Sequence, residues 1–418
     1  MFLKTNNIRE CSGCTACYSV CTHTAISMQT NEDGFIIPIK NPNLCIDCGL
    51  CEKVCPIEYP DYSNSSLPFA FAAYDPKERQ KSSSGGIFYS IAKYIIMQGG
   101  VVFGAAFDDN MQLNHIPVET IQGLESLRGS KYVQSNIGET FRNAAKLLKS
   151  KRLVYFTGTP CQVAGLKAFL KKPYHNLLTS DLVCHGVPSH KLFNQHLKYL
   201  ENSAGSKIDA YSFRDCRYWT IREKVHYQNG KETVVNDGNM SPYLYAFGLG
   251  YSYRDSCFDC KFARIPRQGD ITLADYWGVG RYHPELDDRG GVSMVLINTD
   301  KGLCIWNDIK RSLIFKESSL DSCKRYNPNL VQPSEEPLNR KEFLSRLKTE
   351  SYESLSLTML KCPSSIRNKG IERTMRLRKL GLMQPIDACK VFIKKTVASL
   401  GLSQWAYDTY SRIRKTLK

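Results

Sequence analysis

Short apolar runs alternate with amphipathic segments over most of the chain. A stretch rich in Ser, Asn and Pro at Tyr59–Pro68 is typical of a linker. After it, the apolar runs Phe69–Tyr74 and Val101–Phe107 predict strands, and Ile87–Met97 carries apolar residues at helical spacing. The alternation continues with predicted helices at 137–149 and 162–170 and predicted strands at 153–156 and 178–183. This pattern predicts an α+β or α/β body.

The composition is that of a globular protein. Hydrophobic residues make up 42% and charged residues 23% of the 418 positions, which excludes wholesale disorder. No apolar run approaches the ~18 residues that a membrane-spanning helix needs. The first residues lack the apolar core of a secretory signal. We therefore expect a cytoplasmic protein.

The net charge of +16 is concentrated at one end of the chain. Residues 361–418 contain 14 Lys and Arg against 3 Asp and Glu, in segments such as NKGIERTMRLRKLG and ACKVFIKKTVASLG. A basic amphipathic helix can bind an anionic membrane surface or an acidic partner, which would make the protein peripheral at the inner membrane surface. The alternative is a solvated helical appendage on the body. Nucleic acid is disfavoured, because no aromatic interleaving accompanies the charge.

Eight of the 17 Cys lie in the first 55 residues, as two copies of C-x2-C-x2-C-x3-C. Such a run holds a 4Fe-4S cluster with three of its Cys, while the fourth binds the neighbouring cluster. The spacing therefore predicts two clusters, one on Cys11, Cys14, Cys17 and Cys55 and one on Cys45, Cys48, Cys51 and Cys21. Zinc sites use Cys in pairs, so zinc does not explain the third Cys of each run.

Three turns in the body carry candidate chemistry. KSSSGGIF, at Lys81–Phe88, is a Ser- and Gly-rich turn before a helix, which is either an anion site or an ordinary Ser N-cap. GSKY, at Gly129–Tyr132, is a similar site or a surface turn. FTGTPCQVAGL, at Phe156–Leu166, is a cofactor turn or a tight strand-to-helix connection with a buried thiol.

A further set of Cys is scattered through the body. Cys161 and Cys184 each follow a strand-like run, and Cys257 and Cys260 form a C-x2-C pair. Four thiolates suit an iron–sulfur cluster or zinc, and buried core thiols are a third interpretation. The residues alone leave these alternatives open.

Several body segments, in order along the chain, resemble the coenzyme F420 hydrogenase/dehydrogenase beta-subunit family: SSGGIF, GSKY, GTPCQV, CHGVPS and CFDCKFAR followed by GDITLADYWG. The similarity runs from about residue 69 to about residue 320, behind the ferredoxin-like segment. The resemblance implies binding of FAD and an iron–sulfur cluster. It also implies electron exchange between a two-electron carrier and one-electron clusters.

Transferred to this sequence, the resemblance implies two sets of site residues. The first would hold a third 4Fe-4S cluster: Cys161, Cys184, Cys257 and Cys260. The second would contact the flavin: Ser84, Gly85, Gly86, Lys131, Tyr132, Gly158 and Thr159. His185 and Lys131 are candidate proton donors, although a lone His is more often structural.

The expected architecture is a small bacterial-type dicluster ferredoxin domain fused to a mixed α/β flavin-binding body, with a helical C-terminal tail. We place the ferredoxin domain at 1–60, two parts of the body at 69–150 and 151–330, and the tail at 361–418. The first part of the body would bind flavin, and the second would hold the third cluster and the flavin or substrate site.

The expected function is that of an iron–sulfur flavoprotein oxidoreductase. It would pass electrons between ferredoxin-type clusters and FAD, and on to or from a two-electron substrate or a deazaflavin. A ferredoxin-like or deazaflavin partner and a small-molecule or glycan-related substrate follow from this interpretation. The alternative is a non-catalytic electron-transfer subunit that supplies a partner enzyme, within surface-polysaccharide biosynthesis.

Overall fold

The computed structural model describes residues 1–215, 223–235, 241–288 and 290–361. The predicted basic tail, beyond Lys361, lies outside these residues. Cys216 lies outside them as well.

The N-terminal domain is built on one hairpin. Strands β1 (Ile26–Thr30) and β2 (Ile36–Lys40) pair antiparallel, with Ile26 opposite Lys40. Three short helices flank the hairpin: α1 (Phe2–Thr5), α2 (Ala16–Val20) and α3 (Leu50–Lys53). The two Cys runs lie around α2 and α3, so the hairpin and helices hold them on a compact unit.

The body contains two further sheets. Its strands are β3 (Phe69–Tyr74), β4 (Val101–Phe107), β5 (Leu113–Val118), β6 (Val154–Gly158), β7 (Leu177–Leu182), β8 (Ile208–Ser212), β9 (Lys224–Tyr227), β10 (Glu232–Val234), β11 (Ile271–Asp275), β12 (Ser293–Ile297) and β13 (Ile314–Ser318). The large sheet has the order β13-β3-β12-β11-β7-β6-β4-β5, and β10-β9-β8 form the small one.

Four central strands of the large sheet run parallel. β11 pairs with β7, β7 with β6, and β6 with β4, all in parallel register. The remaining pairs, β4–β5, β11–β12, β12–β3 and β3–β13, are antiparallel. The predicted mixed α/β body is therefore confirmed, and strands from both predicted parts of the body share this one sheet.

Helices cover both faces of the large sheet. The body helices are α4 (Ile87–Met97), α5 (Leu124–Leu127), α6 (Thr140–Lys149), α7 (Pro160–Leu170), α8 (His190–Ala204), α9 (Pro242–Leu249), α10 (Val279–Tyr282), α11 (Asp300–Ile309), α12 (Leu320–Arg325), α13 (Arg340–Thr349) and α14 (Tyr352–Leu357). Consecutive residues Val154, Tyr155 and Phe156 of β6 are all fully buried, as expected for a strand covered on both sides.

Successive residues of β6 point into different cores. Tyr155 packs in the core under α4 and α11, together with Ile91 and Trp306. Val154 and Phe156 pack in the core under α6 and α7. This follows from the two-residue period of a strand.

The N-terminal domain contributes to the second of these cores. Ala16 and Val20 of α2, with Val54, pack among the side chains beneath α6 and α7. Helix α2 also contacts α7 directly. The Cys runs are consequently held against the helix that follows β6.

A separate core supports the small sheet. Phe193 of α8, Tyr243 of α9 and Phe343 of α13 are fully buried there with residues of β8 and β9. Within it, Glu223 Oε2 lies 3.1 Å from His196 Nε2 and accepts a hydrogen bond from Ser241 Oγ at 2.7 Å. This unit lies beside the large sheet and supplies Arg214 and α9 to the cavity described below.

Across the described part of the chain, none of the helices combines the length and the apolar character that crossing a lipid bilayer requires.

Candidate functional site

The carboxyl ends of the four parallel strands open into one cavity of about 930 Å³. Ala105 of β4, Gly158 of β6, Leu182 of β7 and Asp275 of β11 all line it. Ligands of open α/β sheets bind outside the carboxyl ends of parallel strands. The volume lies in the range of about 300–1,000 Å³ that is usual for small-molecule and cofactor sites.

Most of the predicted flavin contacts lie around this cavity. Six of the seven line it, together with His185: Ser84, Gly86, Lys131, Tyr132, Gly158 and Thr159. Gly85 packs instead against β3 and β12, where its N–H donates to Ser293 Oγ at 3.0 Å. A Cβ at Gly85 would lie 2.3 Å from the carbonyl oxygen of Ala73. This glycine therefore allows close packing of the turn on the sheet.

The Ser-rich turn and the GSKY turn meet at the edge of the cavity. The N-cap of α4 is Gly86, with φ of 84° and no side-chain cap, so the expectation of a Ser N-cap is wrong. Ser83 Oγ instead accepts a hydrogen bond from Ser130 N at 2.8 Å. This bond joins the two turns into a single polar wall.

Lys131 is a half-buried amine in that wall. Its Nζ donates to the carbonyl oxygens of Arg128 at 2.7 Å and of Gly129 at 3.3 Å. Burial lowers the pKa of Lys131 to about 7. The side chain can therefore gain or lose a proton near neutral pH.

Two further cavity residues have pKa values shifted by burial. Burial raises the pKa of Tyr132, whose ring packs 4.6 Å from that of Phe247. Burial lowers the pKa of His185, and the opposing effect of Asp275 is smaller. His185 therefore stays neutral at pH 7 and can accept a proton.

The turn between β6 and α7 brings a thiol to the cavity. Thr159 N donates to Gln162 Oε1 at 2.9 Å, and Pro160 occupies the first helical position. Cys161 follows, with its Sγ 3.1 Å from Thr159 Oγ1. The Thr-x-x-Gln pattern thus fixes where the helix begins and where this thiol lies.

The four scattered Cys of the body come together. We call Cys161, Cys184, Cys257 and Cys260 the body thiol group. Burial, and then the three other thiols of the group, raise the pKa of Cys184. Burial also raises the pKa of Cys161 to about 11 and of Cys257 to about 12. Binding iron as thiolates would offset this cost of deprotonation, so the donor set fits an iron–sulfur cluster.

The cysteines of the first predicted cluster also come together. Cys11, Cys14, Cys17 and Cys55, here the first thiol group, line one small cavity. Burial, followed by the other three thiols of this group, raises the pKa of Cys17. In two-cluster ferredoxins the fourth Cys of each run binds the cluster of the other run, and Cys55, the fourth Cys of the second run, accordingly lies with the first three Cys of the first run.

The first thiol group and the body thiol group are neighbours. Cys161 contributes to the raised pKa of Cys14, after burial, Cys55 and Cys11. Cys14 lies against α7, where a Cβ at Gly165 would be 3.1 Å from its Sγ. Helix α7 therefore carries Cys161 at one end and contacts Cys14 one turn later.

Arg254 is fully buried between these two groups. Its Nε donates to the carbonyl oxygen of Cys11 at 2.6 Å. Its charge partly offsets the burial that raises the pKa values of Cys161 and Cys257. Arg254 Nη2 is buried without a hydrogen-bond partner among the described residues, as are Ser256 Oγ and Thr15 Oγ1. Such donors suit the sulfur atoms of a bound cluster.

The second predicted cluster set, Cys21, Cys45, Cys48 and Cys51, is less buried. Cys48 is exposed and the other three are half-buried. Cys45 lies near enough to contribute to the raised pKa of Cys51, after burial and Glu52. This second thiol group gives the N-terminal domain a sulfur-bearing surface that solvent can reach.

No group of three or more His, Cys, Asp or Glu side chains in the described ranges is arranged to hold a single metal ion. A 4Fe-4S cluster places its four thiolates around a cubane rather than around one ion.

Sequence reasoning missed two arginines of the site. Arg214 lines the cavity and pairs with Asp275 of β11. Arg254 occupies the position described above. Neither belongs to a spaced motif, although Asp275 lies within the GDITLADYWG segment and could have been singled out there.

Comparison with known proteins identifies two regions. Residues 151–322 match the C-terminal domain of the coenzyme F420 hydrogenase/dehydrogenase beta-subunit family, and residues 10–59 match the 4Fe-4S dicluster domain. The resemblance noted from the sequence motifs is therefore confirmed.

Two curated relatives are archaeal. The coenzyme F420-dependent sulfite reductase of Methanocaldococcus jannaschii is 24% identical over 325 residues, which cover 73% of this chain and 46% of the relative. A subunit of the F420H2 dehydrogenase of Methanosarcina mazei is 24% identical over 167 residues, covering 36% of this chain and 46% of the relative. The chain thus spans less than half the length of these relatives.

Among solved structures, a xenon-derivatized F420-reducing NiFe hydrogenase complex from Methanosarcina barkeri aligns with a TM-score of 0.41 and 18% identity. The alignment covers 70% of this chain and 91% of that chain. The relationship to known proteins rests on the two family matches. The chain joins a segment that matches the 4Fe-4S dicluster domain, residues 10–59, to a segment that matches the C-terminal domain of the coenzyme F420 hydrogenase/dehydrogenase beta-subunit family, residues 151–322, and is thus related to iron–sulfur electron-transfer oxidoreductases.

Proposed function

We propose that this chain is an FAD-dependent iron–sulfur oxidoreductase. It passes electrons between 4Fe-4S clusters and FAD, and on to or from a two-electron substrate or a deazaflavin. One observation carries the proposal: Cys161 and Cys184 of the body thiol group line the same cavity as the predicted flavin contacts. Bound FAD supplies two-electron chemistry towards an organic substrate and one-electron exchange with clusters.

The walls of the cavity support binding of a flavin dinucleotide. The joined Ser83–Ser130 wall and the N-terminal end of α4 offer hydroxyl and N–H donors to phosphate groups. The same cavity also presents the apolar rings of Tyr132 and Phe247. A dinucleotide with a polar diphosphate and a planar ring system matches both kinds of surface.

Two groups of the cavity can move a proton. Lys131 changes its charge near pH 7, and His185 is neutral there. A group whose pKa lies near the working pH is an effective general acid or base. We assign Lys131 the role of holding a proton at Nζ and His185 that of accepting one.

The body thiol group supports a third 4Fe-4S cluster. Three observations favour this assignment: its four half-buried thiols lie together, Nη2 of Arg254 has no partner among the described residues, and the group lies beside the first thiol group. The body thiol group then has two neighbours. One is the first thiol group, and the other is the cavity, which Cys161 and Cys184 line. The second thiol group is the most exposed of the sets.

The partner and substrate are proposed at the level of chemical class. The names of the curated relatives favour a deazaflavin as the two-electron partner, and the dicluster domain favours a ferredoxin-like one-electron partner. We propose a small-molecule or glycan-related compound as the substrate, in surface-polysaccharide biosynthesis, as the family resemblance implies. The basic tail would serve a membrane surface or an acidic partner.

A second candidate is a non-catalytic electron-transfer subunit. It is favoured by one observation, that a curated relative is itself named as a subunit and this chain spans 46% of it. Single-chain turnover separates the two. The purified, anaerobically reconstituted chain is mixed with reduced ferredoxin and a deazaflavin, and deazaflavin reduction is followed by absorbance. Turnover supports the enzyme, whereas reduction of the clusters without turnover supports the subunit.

A further inference from the structure

The body thiol group borders an open surface groove as well as the first thiol group. Cys161 lies near enough to Cys14 to contribute to its raised pKa, and Cys260 lines this groove, whose volume is about 720 Å³. A cluster on the body thiol group would therefore be approachable from two directions.

The groove combines a cationic rim with an apolar floor. Lys261, Arg264 and Lys324 line it, and Lys324 pairs with Asp321 at 3.4 Å. Among the described residues that line the groove, Asp259 alone carries a carboxylate. That carboxylate accepts a hydrogen bond from Arg9 at 2.8 Å, so its charge is already paired. The floor is formed by apolar side chains: Phe258, Ala263, Ile265, Leu320 and Val331.

Tyr62 contacts two residues of the cationic rim, Arg264 and Lys261. The Arg264 guanidinium lies 4.4 Å above the ring of Tyr62, and Tyr62 donates from its hydroxyl to the carbonyl oxygen of Lys261 at 2.9 Å. The linker after the N-terminal domain thus supports one wall. Lys261 and Arg264 nevertheless stay exposed, so both charges face solvent.

We propose that this groove, here called the Cys260 groove, docks a small acidic one-electron carrier protein, which passes an electron directly to the body thiol group's cluster. The proposal rests on the proposed function, because it needs that cluster. The cationic rim beside Cys260, a proposed cluster ligand, is complementary in charge to such a carrier. Acidic carriers are attracted to a cationic rim, and close approach to a cluster is what electron transfer requires.

The transfer is a simple exchange of one electron. The reduced iron–sulfur centre of the carrier loses one electron, and the cluster on the body thiol group gains it. No covalent bond forms or breaks, and no proton needs to move. The dicluster domain would then be a second route to the same cluster.

The test uses the full chain and an oxidised acidic plant-type 2Fe-2S ferredoxin as the probe. The groove variant is Lys261→Glu, Arg264→Glu and Lys324→Glu together. The matched control reverses three exposed lysines elsewhere: Lys93→Glu, Lys198→Glu and Lys231→Glu. Both variants change the net charge by the same amount, so a difference between them reports the position of the charges.

Binding is measured first, by titration at low ionic strength. We expect the dissociation constant to rise about tenfold or more in the groove variant and less than about twofold in the control, with the difference shrinking as salt is added. Equal binding by the two variants, or no binding by the unmodified chain, would overturn the proposal. This readout does not depend on the third cluster.

Electron transfer is measured second, by stopped flow, in a Cys48→Ser background that weakens the dicluster route. We expect the reduced ferredoxin still to reduce the body cluster, at a rate lowered by the groove substitutions. Loss of all transfer in the Cys48→Ser chain would overturn direct access through the groove. Iron analysis of the same samples shows whether the third cluster is present, so a failure of the proposed function is recognised separately.

Discussion

The Nε of Arg254 donates a hydrogen bond to the backbone carbonyl of Cys11 at 2.6 Å, across 243 positions of sequence. The same guanidinium donates from Nη1 to the carbonyl of Ile36 and to Gln134 Oε1. Gln134 in turn donates to the carbonyl of Ser12 at 3.2 Å. One buried cation therefore joins the dicluster domain to the body at the place where two thiol groups meet.

Arg254→Gln is expected to make a neighbouring cluster harder to reduce. Removing a positive charge beside the body thiol group destabilises the added electron, so the midpoint potential should fall by roughly tens of millivolts. Redox titration followed by EPR measures this. Arg346→Gln, on α13, removes a charge elsewhere and should leave the potentials unchanged. An unchanged potential in Arg254→Gln with intact iron content would contradict the placement of this charge.

Gly165→Ala is expected to loosen the dicluster domain from α7. The added Cβ would lie 2.9 Å from the Cβ of Cys14, a distance that forces one of them to shift. We expect a lower iron content after purification and a lower thermal midpoint. Gly248→Ala, where a Cβ meets nothing within 4 Å, is the matched helical control. Identical behaviour of the two variants would show that Cys14 does not need this contact.

Cys257→Ser is expected to remove about 4 Fe per chain, because a 4Fe-4S cluster needs its thiolate ligands. Cys323→Ser is the control, since Cys323 is buried in an apolar core with Leu330. Iron is determined against protein after anaerobic reconstitution. Equal iron in both variants would remove Cys257 from the ligand set.

Lys131→Met is expected to stabilise the protein more at pH 6 than at pH 9.5. At pH 6 the amine is charged in both the folded and the unfolded chain, so folding bears the whole cost of burying that charge. Between pH 7 and 10.5 the folded chain binds fewer protons than the unfolded one, so the cost falls as pH rises.

The measurement is the thermal midpoint of both chains at the two pH values. Each unit of pKa shift corresponds to about 1.4 kcal/mol. Lys93→Met, at an exposed position on α4, should show no such dependence. A gain of the same size at both pH values would show that Lys131 is not buried as a charged group.

The local elements were largely predictable from the residues. The predicted strand Phe69–Tyr74 and helix Ile87–Met97 coincide with β3 and α4, because their apolar periodicity is strong. The helix predicted at 162–170 begins earlier, at Pro160. The Thr-x-x-Gln pattern around Thr159 carries this information, because Gln162 Oε1 accepts a hydrogen bond from Thr159 N where the helix begins.

The pairing of distant elements was not predictable in the same way. β3 lies between β12 and β13, whose residues come more than 200 positions later. Arg254 has no spacing signal, since a single Arg after an aromatic run is common in any sequence. Its role depends on the dicluster domain packing against α7, which is a tertiary contact that no local pattern encodes.

The candidate site shows the same difference between features that local spacing predicts and features that depend on tertiary packing. The Cys spacing predicted which four thiols form the first group, because the rule for a two-cluster ferredoxin concerns local geometry. The family motifs placed Gly85 among the flavin contacts, although it packs against the sheet. A motif identifies a turn, whereas the direction in which each residue of the turn points depends on the packing behind it.

The proposed function requires three clusters and one flavin in a single chain. Iron and flavin content after anaerobic purification and reconstitution tests this requirement without depending on the identity of the substrate. We expect about 12 Fe and one FAD per chain. A content of about 8 Fe with no flavin would contradict the proposed function and leave a two-cluster electron carrier.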